Sequence, residues 1–292
     1  LQKAARVLCS EEYRTALKQQ LAAGARSFAA ARQAAVQALC PGSDIAALLD
    51  KPNNNLAVEY CKAIIEQNVE MQPIALPRQG ADHGQALTES AHAAFASASA
   101  LRTLWAEGGA AALAPYVPEK ALKLYIMTEY DGKYTDFAVM GHCELALLRA
   151  ACAGQAPFAA VRGVSEGLEH RLENAVRETA SLPALLDALT TVRYPRARMR
   201  RLAMDAALGY TAQTPALPPY LHLLGARKEA LPLPGKTALP LSHSLARLAR
   251  ENEPCAQMAA AQSRASDLGA LCRAKPEPMG GIYRQKIIFL TN

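Results

Sequence analysis

The sequence predicts a mostly α-helical protein with one stretch, early in the chain, that suits part of an α/β domain. Three observations carry this. Hydrophobic residues make up 51% of the 292 residues but aromatic ones only 5%, a balance that, with abundant alanine, favours packed helices over a sandwich or barrel. Apolar residues recur at helical spacing through most of the chain. Only two short runs, 71–76 (MQPIAL) and 286–290 (KIIFL), read as strands.

In chain order, residues 1–40 alternate charged and apolar positions at helical spacing, with Leu17, Leu21 and Ala25, then Ala31, Ala35 and Leu39, as the apolar series. The segment 24–27 divides them into two helices. Cys40-Pro41-Gly42 opens a turn, after which Ser43 or Asp44 is expected to cap a short helix through Leu49. Past the break at Lys51-Pro52, Leu56, Tyr60 and Ile64, with Ala57, Cys61 and Ile65, give one apolar helix face to about Gln67. The strand candidate 71–76 ends at Pro77-Arg78. Helix, strand and basic residue in that order suit the last crossover of a doubly wound α/β domain. A polar loop over 79–89 leads to a helix that starts near Ser97 to Ser99 and continues past Trp105.

From Gly108 onward the pattern is helical almost throughout. Pro118 is expected in the first turn of a helix that holds Leu122, Tyr125 and Ile126 inside. Asp131-Gly132 is a turn, and 144–152 is a helix. The segment 164–179 is amphipathic, with Leu168, Leu172 and Val176 inward and Glu166 and Glu169 in its first turn, where acidic side chains complement the helix dipole. Ser181 caps the next helix, whose inner face is Leu185, Leu186 and Leu189. Residues 211–243 contain six prolines and read as an irregular packing segment in which Tyr220-Leu221-His222-Leu223-Leu224 is buried. The run 286–290 is a short edge strand.

Net charge is +6, compatible with an acidic partner without requiring one. No stretch approaches the roughly 20 uninterrupted apolar residues of a membrane helix, and no secretory leader pattern occurs. The seven cysteines are odd in number, scattered and never spaced Cys-x-x-Cys. They predict reduced thiols in a cytoplasmic protein without a membrane partner, and argue against a disulfide framework or a zinc site. His142-Cys143-Glu144 are chain neighbours, not metal-ligand spacing. No phosphate-cradling glycine loop is present. No metal and no catalytic residue is assigned from these letters.

Four constellations have a chemical reading beside a bland one. Asn53, in Pro52-Asn53-Asn54-Asn55, either caps a helix or faces a nucleotide at the helix start, where backbone amides favour anions. Arg78 is either a solvated residue after a strand or a phosphate contact. Ser97, Ser99 and Arg102 are either an alanine-rich helix start with a serine cap or a phosphate cradle, small hydroxyls at the helix start with a guanidinium one turn later. The run Arg193, Arg196, Arg198, Arg200 and Arg201 is either the wet side of a helix or a contact surface for RNA phosphates. Arg193, Arg196 and Arg200 share one face, and Met199, Leu202 and Ala206 share another. The run holds arginine without lysine, and only acids outside it, such as Asp187 and Asp205, could neutralise it.

These residues resemble the bacterial tRNA(Met) cytidine acetate ligases, a family formerly grouped with nucleotidyltransferases. The resemblance rests on Pro52, Asn53, Asn54, Leu56, Tyr60 and Ala63, on Ser165-Glu166-Gly167-Leu168-Glu169-x-Arg171, and on Arg193, Tyr194, Arg198 and Arg201. Weaker support comes from Arg78 before the His83 loop, where Asp82 stands in place of the usual tyrosine, and from Ser97 to Arg102. The resemblance implies a mostly α protein. Residues 1–105 would be the C-terminal portion of a Rossmann-like, ATP-binding nucleotidyltransferase domain, and 106–292 a helical tRNA-binding domain. It implies that ATP, with or without Mg, activates acetate as acetyl-adenylate for transfer to N4 of the wobble cytidine of elongator tRNA(Met). It further implies that Asn53, Arg78, Ser97, Ser99 and Arg102 contact ATP and that the arginine run contacts tRNA. The family's His-x-Gly-His run is not among these letters, and residue 1 is Leu within a helical pattern. The expectation is a member that begins downstream of its natural start and is inactive as given, the alternative being a non-catalytic RNA-binding protein derived from that family.

Overall fold

Short polar side chains set most of the helix starts. In the computed structural model, which describes residues 1–25, 27–76, 96–227, 229 and 237–290, Ser10, Ser27, Ser97, Asp136, Ser181, Ser244 and Asn252 each accept a backbone N–H of the turn that follows. Each satisfies a donor that the helix itself leaves open. The chain divides into two compact units, Leu1–Gly80 and Ala81–Asn292.

The described residues of the first unit are helical: α1 (Gln2–Cys9), α2 (Glu11–Ala22), α3 (Phe28–Leu39), α4 (Ile45–Leu48) and α5 (Pro52–Glu66). The N-terminal pattern yields one more helix than expected, because Ser10 ends α1 and caps α2 through the Tyr13 N–H at 3.1 Å. Helix α2 packs on α3 and α1 on α5, around Ala4, Ala5, Leu8, Tyr13, Val36 and Val58. Asp44 precedes α4 but makes no side-chain cap; the Ser43 hydroxyl donates to the Cys40 carbonyl instead.

Two further expectations fail in this unit. Residues 71–76 form no strand. A ladder needs a second strand, and none exists among the described residues of the unit; Ile74 and Leu76 are exposed. The apolar face of α5 is also only half used. Cys61 is buried, as is Val58 beside it, whereas Leu56, Tyr60 and Ile65 are exposed. Spacing identified the helix, but which apolar positions are covered depends on what packs there.

The second unit runs α6 (Ala98–Gly108), a 3₁₀ turn (Ala110–Leu113), α7 (Glu119–Tyr130), α8 (Phe137–Ala151), α9 (Leu168–Glu178), α10 (Leu182–Leu189) and α11 (Arg196–Ala207). After β1 (Leu221–His222), β2 (Gly225–Arg227) and β3 (Leu241–Ser242) come α12 (Leu245–Leu248), α13 (Glu253–Leu271), a second 3₁₀ turn (Gly281–Arg284) and β4 (Ile288–Leu290). Strand β1 pairs in parallel with β3, and β2 with β4. The run expected as an edge strand is thus one half of a two-stranded ladder. Helices α8, α9, α10 and α11 enclose the main core of Leu148, Phe158, Leu168, Leu172, Leu185, Leu189 and Met199. The expected functional boundary at residue 105 lies inside this unit, within α6, which packs on the first 3₁₀ turn.

Here too the structure corrects the pattern. Helix α7 buries none of its residues, and Tyr125 and Ile126 are exposed; Pro118 is its N-cap, not a first-turn residue. Helix α8 starts seven residues before Glu144, at Phe137, because Asp136 accepts the Ala138 and Val139 N–H groups. In the proline-rich segment Tyr220 is buried, but Leu221 and Leu224 are exposed. All seven cysteines are free. No helix among the described residues is long and apolar enough to cross a membrane.

Candidate functional site

A polar cleft forms where α9, α10 and the start of α11 meet. Helix α9 begins later than the pattern suggested, after two residues in the left-handed region, Glu166 at φ 56° and Gly167 at φ 81°. Glycine tolerates this, but a residue with a Cβ is penalised by roughly 1–2 kcal/mol, so Glu166 must be held. Its carboxylate is ion-paired with Arg193 and accepts the Tyr194 hydroxyl at 3.3 Å. Asn68 and Ala156 also adopt this region; Glu166 differs in that its side chain reaches the arginine run.

One turn on, Arg171 donates through Nη2 to the Ala188 carbonyl at 2.7 Å, while its Nε is buried without a hydrogen-bond partner. Glu166, Arg171, Asn174, Glu178, Ala188 and Tyr194 line an open cleft of about 460 Å³. The segments Ser165 to Arg171 and Arg193 to Arg201, both part of the resemblance, therefore meet around one feature. Arg171 stands out only once α10 is seen to lie across it.

Met199, Leu202, Ala203 and Ala206 form the buried face of α11, which turns the arginines outward. Arg193, Arg196, Arg200 and Arg201 are exposed and Arg198 is half-buried. The Arg198 and Arg193 guanidinium carbons lie 5.1 and 5.8 Å from the centre of the Tyr194 ring, within cation–π range. Arg196 pairs with Asp187. Asp205 is engaged by Arg162 at 2.7 and 2.9 Å, so it does not neutralise the run. The Arg201 side chain makes no hydrogen bond or ion pair among the described residues. This arrangement can bind a polyanion.

Under the run, Glu144 of α8 is 2% exposed and its Oε1 lacks a partner. Burial pushes its carboxyl up to about 7, with Arg200 pulling the other way. As part of a neighbour triplet it gave no signal in the sequence, since burial is not written in adjacent letters. No group of three His, Cys, Asp or Glu among the described residues could hold a metal.

The candidate nucleotide residues fare differently. Asn53 is exposed in the first turn of α5 and makes no side-chain hydrogen bond among the described residues; it does not cap the helix. Asn55 makes the local bonds instead, donating to the Leu49 carbonyl at 2.6 Å and accepting from Arg32 at 3.3 Å. Arg78 and His83 lie outside the described residues. Ser97 is buried and caps α6, accepting the Ala100 N–H at 3.2 Å, with the Ser99 hydroxyl 3.0 Å away. The structural role of Ser97 is thus real. Arg102 is exposed and borders a second cleft of about 730 Å³, which Trp105, Glu129, Tyr134 and Asp136 also line. Trp105 and Glu129 carried no signal in the sequence, because only the packing of α6 beside α7 makes them neighbours.

The fold is that of a mostly helical, nucleotidyltransferase-like protein. It matches a crystal structure of Thermotoga maritima TmcAL in its apo form with a TM-score of 0.83 at 22% identity, covering 99% of this chain and 74% of that one. The same protein bound with alpha-thio ATP matches with a TM-score of 0.80 at 22% identity, over 99% and 73% of the two chains. The family model described as HIGH Nucleotidyl Transferase matches residues 1–278, and the chain belongs to that family. Among curated relatives, the tRNA(Met) cytidine acetate ligase of Listeria monocytogenes serotype 4b (strain CLIP80459) is 31% identical over 183 residues, 62% of this chain and 45% of the relative. That of Thermoanaerobacter sp. (strain X514) is 28% identical over 217 residues, 73% and 52% of the two chains. The chain spans about half the length of the curated relatives it matches.

Proposed function

We propose that the protein is an ATP-dependent tRNA(Met) cytidine acetate ligase, with residues 1–105 serving ATP and 106–292 serving tRNA. Acetate is unreactive toward an amine until its oxygen carries a good leaving group. In the proposed reaction an acetate oxygen attacks the α-phosphorus of ATP and displaces pyrophosphate. The N4 amine of the wobble cytidine of elongator tRNA(Met) then attacks the acetyl carbon and releases AMP. Asn53, Arg78, Ser97, Ser99 and Arg102 are assigned to ATP, with or without Mg, and Arg193, Arg196, Arg198, Arg200 and Arg201 to tRNA phosphates.

The observation that carries the reading is the cluster of Glu166, Arg171, Arg193, Tyr194 and Arg198. The left-handed Glu166 is tied to the arginine run, and an open polar cleft lies beside them. The names of the relatives support the substrate and product. The test is to incubate the protein with ATP, labelled acetate and elongator tRNA(Met) and to look for N4-acetylcytidine by nucleoside mass spectrometry. Product supports the ligase reading. Tight, salt-sensitive tRNA binding with neither product nor binding of ATP favours the second reading, an RNA-binding protein without the chemistry. Absence of both sinks the tRNA assignment.

A further inference from the structure

Two thiols from distant parts of the chain meet between α8 and α13. Cys143 lies on α8, and Cys272 follows the last residue of α13. Backbone bonds fix the two elements to each other. Asp136, which caps α8, donates its N–H to the Cys272 carbonyl at 2.8 Å, and the Ala274 N–H donates to the Tyr134 carbonyl at 3.2 Å. Thr135 and Arg273 form an antiparallel bridge between these bonds. Cys272 is buried with Leu208 and Leu268, and Met140, Cys143 and Met204 pack against them. Burial, and then a hydrogen bond with Cys143, push the Cys272 thiol up to about 11. Cys9 and Cys255, by contrast, donate to the Glu66 carboxylate and the Pro219 carbonyl.

The two thiols differ in access. Cys272 is 0% exposed. Cys143 is half-buried and lines an open cleft of about 580 Å³, whose apolar wall includes Ala146, Leu147, Leu268 and Leu271. A small oxidant in that cleft reaches Cys143 without displacing the core, and the sulfur it oxidises has the second thiol behind it. Redox-sensing cysteines share this arrangement, an accessible thiol next to a resolving one.

We propose that Cys143 and Cys272 are an oxidative modification site, forming a reversible disulfide when the protein meets hydrogen peroxide and so tying α8 to the end of α13. Cys143, deprotonated, attacks one peroxide oxygen; the O–O bond breaks, and the departing hydroxide takes up the proton that the thiol released. Cys143 then carries a sulfenic acid. The Cys272 sulfur attacks the Cys143 sulfur, the S–O bond breaks, and the hydroxide leaves as water with the Cys272 proton. The two thiols together lose two electrons and two protons, and the peroxide becomes two waters. A buried thiol is inert toward solvent reagents, which gives Cys272 the second step and not the first. A dithiol reverses the bond by thiol–disulfide exchange. The site is independent of the proposed function, since neither ATP nor tRNA enters the argument.

The test treats the reduced, full-length chain with hydrogen peroxide, blocks the remaining thiols with an alkylating reagent and maps the peptides by mass spectrometry. The expected product is a disulfide joining the peptides of Cys143 and Cys272, with two of the seven thiols lost to that bond and both restored by dithiothreitol. Cys272→Ser should leave Cys143 as a sulfenic acid that dimedone traps. Cys143→Ser should leave Cys272 reduced under the same treatment. If either variant fails to fold, the peptide map of the unaltered protein carries the decision. Cys143 still open to alkylation after the other half-buried thiols are consumed overturns the proposal. So does pairing of Cys143 with any other cysteine, or loss of the Cys272 thiol in folded Cys143→Ser.

Discussion

Replacing Glu144 by Gln should abolish the fall in stability that the parent shows as pH rises from about 4.5 to 7. The carboxyl is buried in α8 with Oε1 unpartnered, and its pKa is pushed up from 4.5 to about 7 by desolvation. In the unfolded chain the group ionises near its ordinary value; in the folded chain it keeps its proton to about 7. Between those pH values the unfolded state binds fewer protons, so stability falls as pH rises and levels off above the folded value. A difference of about 2.5 pKa units at 1.36 kcal/mol each amounts to roughly 3 kcal/mol. Gln cannot ionise, so it removes this slope, although burying its amide without a partner would cost about 1–3 kcal/mol at all pH values. The decisive quantity is therefore the pH dependence of the difference, not its value at one pH. Urea unfolding of both proteins from pH 5 to 8.5, followed by circular dichroism, measures it. The variant should gain on the parent across the window from about 4.5 to 7. Parallel curves would refute the claim that Glu144 is held protonated by burial.

Three further outcomes are expected. Leu172→Ala removes a side chain at 0% exposure from the core shared by α8 to α11. It should lose about 2–5 kcal/mol in urea unfolding, and a loss below about 1 kcal/mol would mean that the site collapses or that the core lies elsewhere. Asn53→Ala touches an exposed side chain with no local bond. Stability should stay within about 0.5 kcal/mol while ATP affinity, read by calorimetry, falls; unchanged affinity removes Asn53 from the nucleotide site. Arg201→Ala should reduce the salt slope of tRNA binding by about one unit, and an unaltered slope would mean that this side chain is merely solvated.

Sequence pattern revealed the helices of the second unit where one face is continuously covered. Leu168, Leu172 and Val176, then Leu185, Leu186 and Leu189, then Met199, Leu202 and Ala206 are all buried, because each series packs on the next. Capping at Ser97 and Ser181 was legible for the same local reason: cap and first turn are adjacent in the chain. Legibility ended where a neighbour was needed. Residues 71–76 have strand letters but no described strand beside them, and Ile126 and Tyr60 have helical spacing but are exposed. The candidate site divides along the same line. Motif letters pointed to Glu166, Arg193 and Tyr194, yet the left-handed turn that joins them, the orphaned Arg171 Nε and the Trp105–Glu129 pair come from tertiary packing alone.

The number of arginines overstates the charge that the run can offer to RNA. Arg193 is engaged by Glu166 and Arg196 by Asp187, and Arg198 lies against Tyr194. Of the run, Arg200 and Arg201 are exposed without an ion pair among the described residues, and Arg200 has the buried Glu144 behind it. Yet exposed pairs are worth only about 0–1 kcal/mol, less than a charge-assisted bond to phosphate at about 1.5–3 kcal/mol. Arg196 can exchange Asp187 for a phosphate at little cost. Arg193 is different, because releasing Glu166 leaves a left-handed residue unsupported beside the cleft. Phosphate binding at Arg193 would therefore be coupled to the conformation of the Glu166–Gly167 turn, whereas binding at Arg200 and Arg201 would not. If the run meets phosphates, occupancy of Arg193 and occupancy of Arg200 and Arg201 would therefore differ in whether the Glu166 contact is given up.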